Sequence, residues 1–173
     1  AIANNSVSGT LAAEVVPPAL EGLSLESNRL SGTLPTRLKR VSIDFTTQLI
    51  NADDNELSGT LPAGYGQLQD LHELTLRGQR LSGTMPGEWA TITSLRNLGL
   101  SRNWLSGTVP AQWGGALLVD NADQCELEDA GADDEHNHFA CPLPSRPRVC
   151  VAALSCGAPP PSPPSAPPLP PLP

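Results

Sequence analysis

Aliphatic side chains recur along the chain, as far as Leu105, in one fixed order. In one copy the order runs Leu71, Leu74, Leu76, Gln79 and Leu81. The same slots hold leucines and an Asn before Ser31 and Ser106. Before Ser58 they include two weaker core residues, Thr47 and Ala52. Because leucines two positions apart place their side chains on one face of a short strand, the pattern predicts one short strand in each copy.

The tripeptide Ser-Gly-Thr follows each copy. It begins at Ser8, Ser31, Ser58, Ser82 and Ser106, with spacings of 23, 27, 24 and 24 residues. A fixed period of this length is typical of solenoids, in which each unit packs on its neighbours. Four copies continue into an apolar residue and a proline, at Leu34-Pro35, Leu61-Pro62, Met85-Pro86 and Val109-Pro110. Since proline fixes φ and cannot donate to a strand ladder, these pairs predict a turn onto the convex side.

The spelling L-x-x-L-x-L-x-x-N-x-L resembles the leucine-rich-repeat family, and Ser-Gly-Thr-Leu-Pro resembles its plant-type subclass. The Pro-x-x-Trp variant at Trp89 and Trp113 is similar to repeats in algal and protist surface proteins. The resemblance covers residues 2–127. It implies an α/β-type solenoid with a short parallel β-strand per repeat and a mostly irregular or 3₁₀ convex side. The Asn slot suits a ladder of side-chain amides that bond backbone groups where the chain turns.

The register divides the chain into three regions. Residues 1–124 form the solenoid of about five repeats, the first of them incomplete, because only Ile2 and Asn5 fill slots before the first Ser-Gly-Thr. Residues 125–156 form a cysteine-containing C-terminal cap, and residues 157–173 a proline-rich tail. The second full unit has 27 residues, which predicts a bulge on its convex side. The segment 117–127 resembles a last strand, in which Cys125 falls in the Asn slot.

The four cysteines lie in the last third of the chain, at Cys125, Cys141, Cys150 and Cys156. An even, clustered set predicts two disulfides that close the cap, and an oxidising compartment. Three pairings are open, and proximity favours 125–141 with 150–156. Because no C-x-x-C pair is present, a zinc site with His136 or His138 is disfavoured, and the acidic stretch 126–138 lacks the spacing of a calcium loop. No metal and no cofactor is predicted.

Residues 158–173 contain ten prolines, so polyproline II is the one regular conformation open to them. At ~3.1 Å per residue, this tail would extend roughly 50 Å. It resembles hydroxyproline-rich, extensin-like glycoproteins of plant and green-algal walls. That resemblance implies hydroxylation or O-glycosylation at Pro159, Pro160, Pro161, Ser162, Pro163, Pro164, Ser165, Pro167, Pro168, Pro170, Pro171 and Pro173. A disordered linker and a P-x-x-P ligand for an SH3-type module are the alternatives.

Charge and residue types narrow the function further. The formal net charge is -8 and the pI is about 4.7, which argues against nucleic acid and anionic membranes as partners. No run approaches 18 apolar residues, the length that predicts a membrane span. Catalysis is not predicted, because the three histidines (His72, His136, His138) accompany no serine or cysteine in a nucleophile-like setting. Asp53 and Asp54 are expected on one strand, facing opposite ways, and so cannot share a proton.

Two further sets of residues are candidate sites. Asn4, in Asn4-Asn5-Ser6, is the N-glycan acceptor expected of a secreted protein. Outward strand positions form two columns on the concave face, Ser24, Asn51, Thr75, Gly99, Asn121 and Glu26, Asp53, Arg77, Ser101, Asp123. Lacking an aromatic cluster or a field of single-sign charge, these columns favour a plain hydrated face. If a ligand binds there, Asp53, Arg77 and Arg102 are the expected contacts.

These features favour an extracellular structural glycoprotein of a cell wall, matrix or fibrous surface appendage. Its repeat head would carry a glycosylated polyproline rod and assemble with itself, head to tail or along a fibre, or with other matrix glycoproteins. The alternative is a secreted or receptor-type recognition module that binds peptide or polysaccharide on the concave face. Similarity to protist surface antigens supports a third, weaker interpretation. Each interpretation places the chain outside the cell.

Overall fold

A computed structural model describes residues 2–11, 22–36, 49–113, 125–127 and 137–140. Within these ranges the chain forms two parallel sheets, and successive strands alternate between them. The first sheet contains β2 (Gly22–Ser24), β4 (Leu49–Asn51), β6 (Glu73–Thr75), β8 (Asn97–Gly99) and β10 (Cys125–Glu126). The second contains β1 (Ser8–Thr10), β3 (Arg29–Thr33), β5 (Glu56–Thr60), β7 (Arg80–Gly83), β9 (Trp104–Thr108) and β11 (His138–Ala140). Each strand pairs with its counterparts in adjacent repeats, which is the topology of a solenoid.

The strands predicted from the leucine copies form the first sheet. The second sheet was not predicted. The two sheets also differ in register. In the first sheet, residues that fill the same slot pair directly, as Ile50 does with Leu74. In the second sheet the register is shifted by two residues per strand, so that Ser58 pairs with Arg80 rather than with Ser82. The first sheet therefore stacks like residues in straight columns, whereas the second is sheared.

The leucines of both sheets face a shared core. The fully buried leucines are Leu57, Leu71, Leu74, Leu76, Leu81, Leu95, Leu98, Leu100 and Leu105. Ala52, expected to be a weak core residue, is also buried. The predicted bulge of its repeat falls on residues 37–48, outside the described residues. At the start of the chain, Ile2 and Val7 remain 45% and 38% exposed, because the first repeat has a partner on one side only among the described strands.

The convex side carries 3₁₀ helices, as the repeat pattern implies. They span Ala63–Gln67 and Gly87–Thr91. Tyr65, Trp89 and Trp113 stack along this side with ring centroids 6.2 Å apart in each pair. The Trp89 indole N–H donates to the Pro62 carbonyl at 2.9 Å, and Trp113 bonds the preceding repeat's proline in the same way. The tryptophan of each Pro-x-x-Trp motif therefore joins its repeat to the one before it by ring stacking and by an indole hydrogen bond.

Side-chain amides form the ladder that the Asn slot predicts. Its members are Asn28, Asn55, Gln79, Asn103 and Asn137, all at least 90% buried. The Asn103 carbonyl oxygen accepts from the Leu81 N–H at 3.1 Å. Its amide group donates to the carbonyls of Leu76 and Leu100 at 2.8 and 3.0 Å. One amide thus pairs backbone groups of its own repeat and of the preceding one, none of which can reach water.

The prediction that Cys125 occupies the Asn slot is wrong. Cys125 pairs with Leu98, so it stands at a strand position of the first sheet. Asn137 fills the slot, because its carbonyl oxygen accepts from the Leu105 N–H and its amide donates to Leu127. Ten positions separate Leu127 from Asn137, against three in a regular repeat, so the acidic stretch contributes an insertion of seven residues. Both sheets continue past residue 124, the first to Glu126 and the second to Ala140.

The Ser-Gly-Thr tripeptide has a packing role in the second sheet. Its glycines adopt left-handed φ values of 82 to 86° at Gly32, Gly59, Gly83 and Gly107, a region that other residues rarely occupy. A Cβ on Gly107 would stand 2.8 Å from the Thr84 methyl group of the preceding repeat. The serine adds a bond across repeats, since the Ser58 hydroxyl donates to the Gly32 carbonyl at 3.3 Å. The tripeptide thus permits the close approach of neighbouring strands.

Gly107→Ala tests this packing. We expect it to lower the free energy of unfolding by about 2 kcal/mol or more, because it adds left-handed strain to the clash with Thr84. Urea denaturation would measure the change. Thr84→Ser removes the clashing methyl and should recover part of the loss in the double variant. Gly87→Ala is the matched control, since its Cβ would meet nothing closer than 3.7 Å. Equal losses in the two alanine variants would contradict the packing role.

Asn103→Ala tests the amide ladder. It leaves the Leu81 N–H and two buried carbonyls without their partner, so we expect a loss of about 3 kcal/mol or more in the same measurement. Asn103→Asp keeps the acceptor but turns a carboxylate towards those carbonyls, and should be at least as damaging at neutral pH. Thr108→Ala, at an exposed position of β9, is the control. A loss no larger than that of the control would show that the ladder does not hold adjacent repeats together.

Candidate recognition surface

The outward side of the first sheet, together with the bends that follow its strands, forms what we call the concave face. The centre of this face differs from the plain hydrated surface expected from the sequence. Thr75 is 1% exposed and Ser101 is 5% exposed, although both belong to the predicted outward columns. Near the N-terminal side, the Asn51 amide donates to the Glu26 carboxylate at 2.6 Å. The Asn51 and Glu26 side chains are thus joined across repeats, whereas the Thr75 hydroxyl is buried without a hydrogen-bond partner.

Asp53 and Arg77 form an ion pair at the centre of the concave face. The Arg77 backbone N–H donates to Asp53 Oδ1 at 2.7 Å, and Arg77 Nη1 to Oδ2 at 3.0 Å. The side chains are only 13% and 25% exposed. Burial raises the pKa of Asp53 above its ordinary value, and the hydrogen bonds and charge of Arg77 partly oppose that rise. The Arg77 guanidinium lies over Gly99, where a Cβ would stand 2.6 Å from Nε.

Asp54 and Arg102 form a second ion pair beside the first. Arg102 Nη2 lies 2.7 Å from Asp54 Oδ1, and both side chains are about half exposed. The contact passes over Gly78, which belongs to the repeat between them and where any Cβ would collide with Asp54 Oδ1. The expectation that Asp53 and Asp54 share a strand is wrong, because β4 ends at Asn51 and Asp54 has a left-handed φ of 51°. Each carboxylate instead bonds a different arginine.

The three predicted contact residues thus lie on one face but not in one cluster. Asp53 and Arg77 bond each other, and Arg102 bonds a residue that the sequence did not select. The signal for the first pair was present, since Asp53 and Arg77 fill the same slot in consecutive repeats. The second pair had no such signal, because it joins repeats two apart. Whether these residues contact a ligand stays a prediction.

The other predicted sites fall partly outside the described residues. Asn4 is exposed, with a left-handed φ of 55°, and Ser6 of its sequon is exposed too. N-glycosylation there remains a prediction with an accessible acceptor. Cys141, Cys150, Cys156 and the tail prolines lie outside the described residues, as does the side chain of Cys125. The disulfides and tail modifications therefore stay predictions.

Within the described ranges, neither 3₁₀ helix is long enough to cross a bilayer. The same ranges hold no group of three or more His, Cys, Asp or Glu residues arranged to bind a metal ion. His72 contacts the backbone of its own turn, with Nδ1 2.8 Å from the Asp70 carbonyl oxygen. The chemistry on the described concave face is therefore that of hydrogen-bonded and ion-paired side chains.

The two ion pairs should differ in their contribution to stability. Arg77→Ala leaves the largely buried Asp53 carboxylate without its cation, so we expect a loss of about 2 kcal/mol at neutral pH. Arg102→Ala breaks a solvent-exposed pair and should cost under about 1 kcal/mol. The Arg77→Ala deficit should shrink as pH falls through the Asp53 pKa, because protonation removes the unpaired charge. Urea denaturation at two pH values measures both effects, and similar, pH-independent losses would contradict this ranking.

No protein-family model and no curated protein matches the sequence. Solved structures do match, among them three from Arabidopsis. The receptor kinase HAESA in complex with the peptide hormone IDA and the co-receptor SERK1 is 28% identical, with a TM-score of 0.64 over 82% of this chain and 22% of that one. The ectodomain of GASSHO1/SCHENGEN3 in complex with CASPARIAN STRIP INTEGRITY FACTOR 2 is 27% identical, with a TM-score of 0.66 over 83% and 16%.

The third is the BIR3–SERK2 complex, in which the matched chain is 29% identical with a TM-score of 0.58 over 71% of this chain and 59% of that one. The present chain thus spans under a quarter of the length of the first two ectodomains. The matched structures, the two parallel sheets and the amide ladder all indicate the same fold. The solenoid has the leucine-rich-repeat fold of plant receptor ectodomains.

Proposed function

We propose that the chain is an extracellular recognition module whose concave face binds an extended peptide with at least one basic side chain. The observation that carries this proposal is the likeness to the HAESA ectodomain, which was solved in complex with the peptide hormone IDA. The GASSHO1/SCHENGEN3 ectodomain, to which the chain is also similar, was solved in complex with CASPARIAN STRIP INTEGRITY FACTOR 2. The likeness favours recognition over the matrix-glycoprotein interpretation, which depends on the tail. Since the matched structures are ectodomains, it also favours binding over catalysis.

The geometry of the concave face supports a peptide. The strands of the first sheet stack without shear, so they present straight columns along which an extended chain can lie. Thr75 and Gly99 are buried at the centre of the face, and the Arg77 guanidinium lies over Gly99, so a ligand would meet the Asp53–Arg77 pair there. The Asp53–Arg77 pair fixes a carboxylate at this centre in one orientation, so a ligand need not order it on binding.

The charge of the concave face supports a basic ligand. Asp53 accepts one hydrogen bond on each carboxylate oxygen, and each oxygen has a lone pair left for a second donor. The face carries both signs of charge, but its carboxylates, Glu26, Asp53, Asp54 and Glu73, outnumber its arginines, Arg77 and Arg102, and the chain as a whole carries a net charge of -8. Such a field attracts cationic ligands and raises their rate of association, an effect that falls with ionic strength.

Charge exchange at the central pair tests the proposal. The double variant Asp53→Arg/Arg77→Asp keeps the net charge and the chance of an ion pair, but reverses the field at the centre. We expect it to lower the affinity for short basic peptides at least tenfold, as measured by fluorescence anisotropy on a peptide panel. Raising the salt from about 0.05 to 0.15 M should weaken wild-type binding.

The matched control is Arg29→Glu/Glu56→Arg, a neutral exchange at exposed positions of the second sheet. Thermal denaturation would establish that both variants fold. Loss of peptide binding in the central variant alone supports the proposal. If both variants bind the peptides as the wild type does, or if no basic peptide binds the folded protein, the proposal is wrong. Binding of a neutral polysaccharide on this face, in place of peptides, would also overturn it.

A further inference from the structure

The outward side of the second sheet carries one exposed aromatic residue that the fold does not require. Trp104, on β9, is 47% exposed, whereas Trp89 and Trp113 are 0% and 1% exposed in the core. Its slot lies directly after the ladder amide. In the other repeats, that slot holds Arg29, Glu56, Arg80 and His138, all exposed. Since the repeat accepts charged and polar residues there, an indole at this position does not serve the packing of the solenoid.

The shear of the second sheet surrounds Trp104 with hydroxyl groups. On β7, its direct partner is Ser82, not Arg80, because the register is shifted by two residues. Along its own strand the next outward residue is Ser106, which pairs in turn with His138 on β11. Arg80 is diagonal to Trp104 on the same side of the sheet. The indole is therefore on the outward side of the sheet, with the serines Ser82 and Ser106 beside it and Arg80 and His138 diagonal to it.

This combination of a flat apolar ring with hydrogen-bonding groups at its edges matches the chemistry of a pyranose sugar. A pyranose presents an apolar C–H face that packs on an aromatic ring, and a rim of hydroxyls that both donate and accept. An apolar protein partner is less well matched, since a docking patch for a protein surface is normally a contiguous apolar area of several hundred Å². The described neighbours of Trp104 on the outward side of the sheet, Ser82, Arg80, Ser106 and His138, are all polar.

We propose that the second sheet binds a pyranose-containing oligosaccharide by stacking one sugar ring on Trp104, with Ser82 and Ser106 bonding its hydroxyls. The site is on a different sheet from the concave face and does not depend on peptide binding there. A neutral β-linked glucan oligosaccharide and an oligogalacturonide share the pyranose ring and differ in charge. Both are therefore suitable probes, and Arg80 favours the carboxylate of the second.

Tryptophan fluorescence can report this site selectively. The chain has three tryptophans, and Trp104 is the exposed one, so acrylamide quenching acts mainly on its emission. Titration of the full chain with either oligosaccharide should protect Trp104 from the quencher in a saturable manner. Calorimetric titration should show Trp104→Ala weakening the binding at least tenfold, which is the effect expected from losing an aromatic contact together with its buried area.

The serines provide the matched comparison. The Ser82 hydroxyl donates to the Gly59 carbonyl at 3.5 Å and keeps its lone pairs for a sugar hydroxyl, so Ser82→Ala should weaken sugar binding by roughly two- to tenfold. Ser31→Ala removes the equivalent hydroxyl two repeats away and should leave the affinity unchanged. Trp104→Ala should retain the wild-type melting temperature, because the side chain lies outside the core.

Some outcomes would overturn the proposal. They are failure of both oligosaccharides to protect Trp104 at millimolar concentration, unchanged sugar affinity in Trp104→Ala, and protection of Trp104 by peptides or proteins but not by sugars. The concave-face variant Asp53→Arg/Arg77→Asp should bind sugar as the wild type does. This result separates failure at the second sheet from failure of peptide binding on the first.

Discussion

The solenoid depends on satisfying backbone groups that its own turns bury. Each repeat bends sharply between its two strands, and the bend turns N–H and C=O groups inwards, where water cannot reach them. The ladder amides satisfy these groups, because one carboxamide both accepts and donates hydrogen bonds and so bonds backbone groups in two successive repeats. Asn103 does so for Leu81 and Leu76 of the repeat before it. Leucine packing supplies most of the burial, but the amide fixes how far apart adjacent turns lie.

Much of this could be predicted from the sequence, because the same local requirement recurs in every repeat. The leucine strands and the turn at proline each follow from residues a fixed distance apart, whereas the stacking of the convex aromatics was not predicted. The second sheet could not be predicted from apolar alternation, because Ser-Gly-Thr contains no aliphatic residue. Its strand depends on left-handed glycines and on a threonine methyl from the preceding repeat. Ser-Gly-Thr recurs from repeat to repeat, but the recurrence alone does not show that the glycine makes room for a threonine methyl.

The register of the last described repeat was the main error, and it has a physical reason. A spacing rule assumes that each strand leads directly to its amide, but here seven extra residues separate Leu127 from Asn137. The pair Asn137 and Phe139 repeats the Asn-x-Leu spelling with an aromatic in place of leucine, and was the signal that could have found it. On the concave face, the sequence selected Arg77 and Arg102 as candidate contacts but could not show that each has a carboxylate partner. Ion pairs between repeats depend on how the repeats stack as well as on which residues fill equivalent positions.

The contact between Asp54 and Arg102 has a consequence for how the solenoid opens. In a repeat protein, coupling normally runs between adjacent units, so stability behaves as a chain of nearest-neighbour terms. Because Gly78 has no side chain, Asp54 and Arg102 can contact each other across the repeat that lies between theirs. The energy involved is small, since the pair is half exposed. Its effect is therefore on cooperativity: when the repeat of Asp54 or of Arg102 frays, the repeat two units away also loses a contact, so next-nearest repeats are weakly coupled.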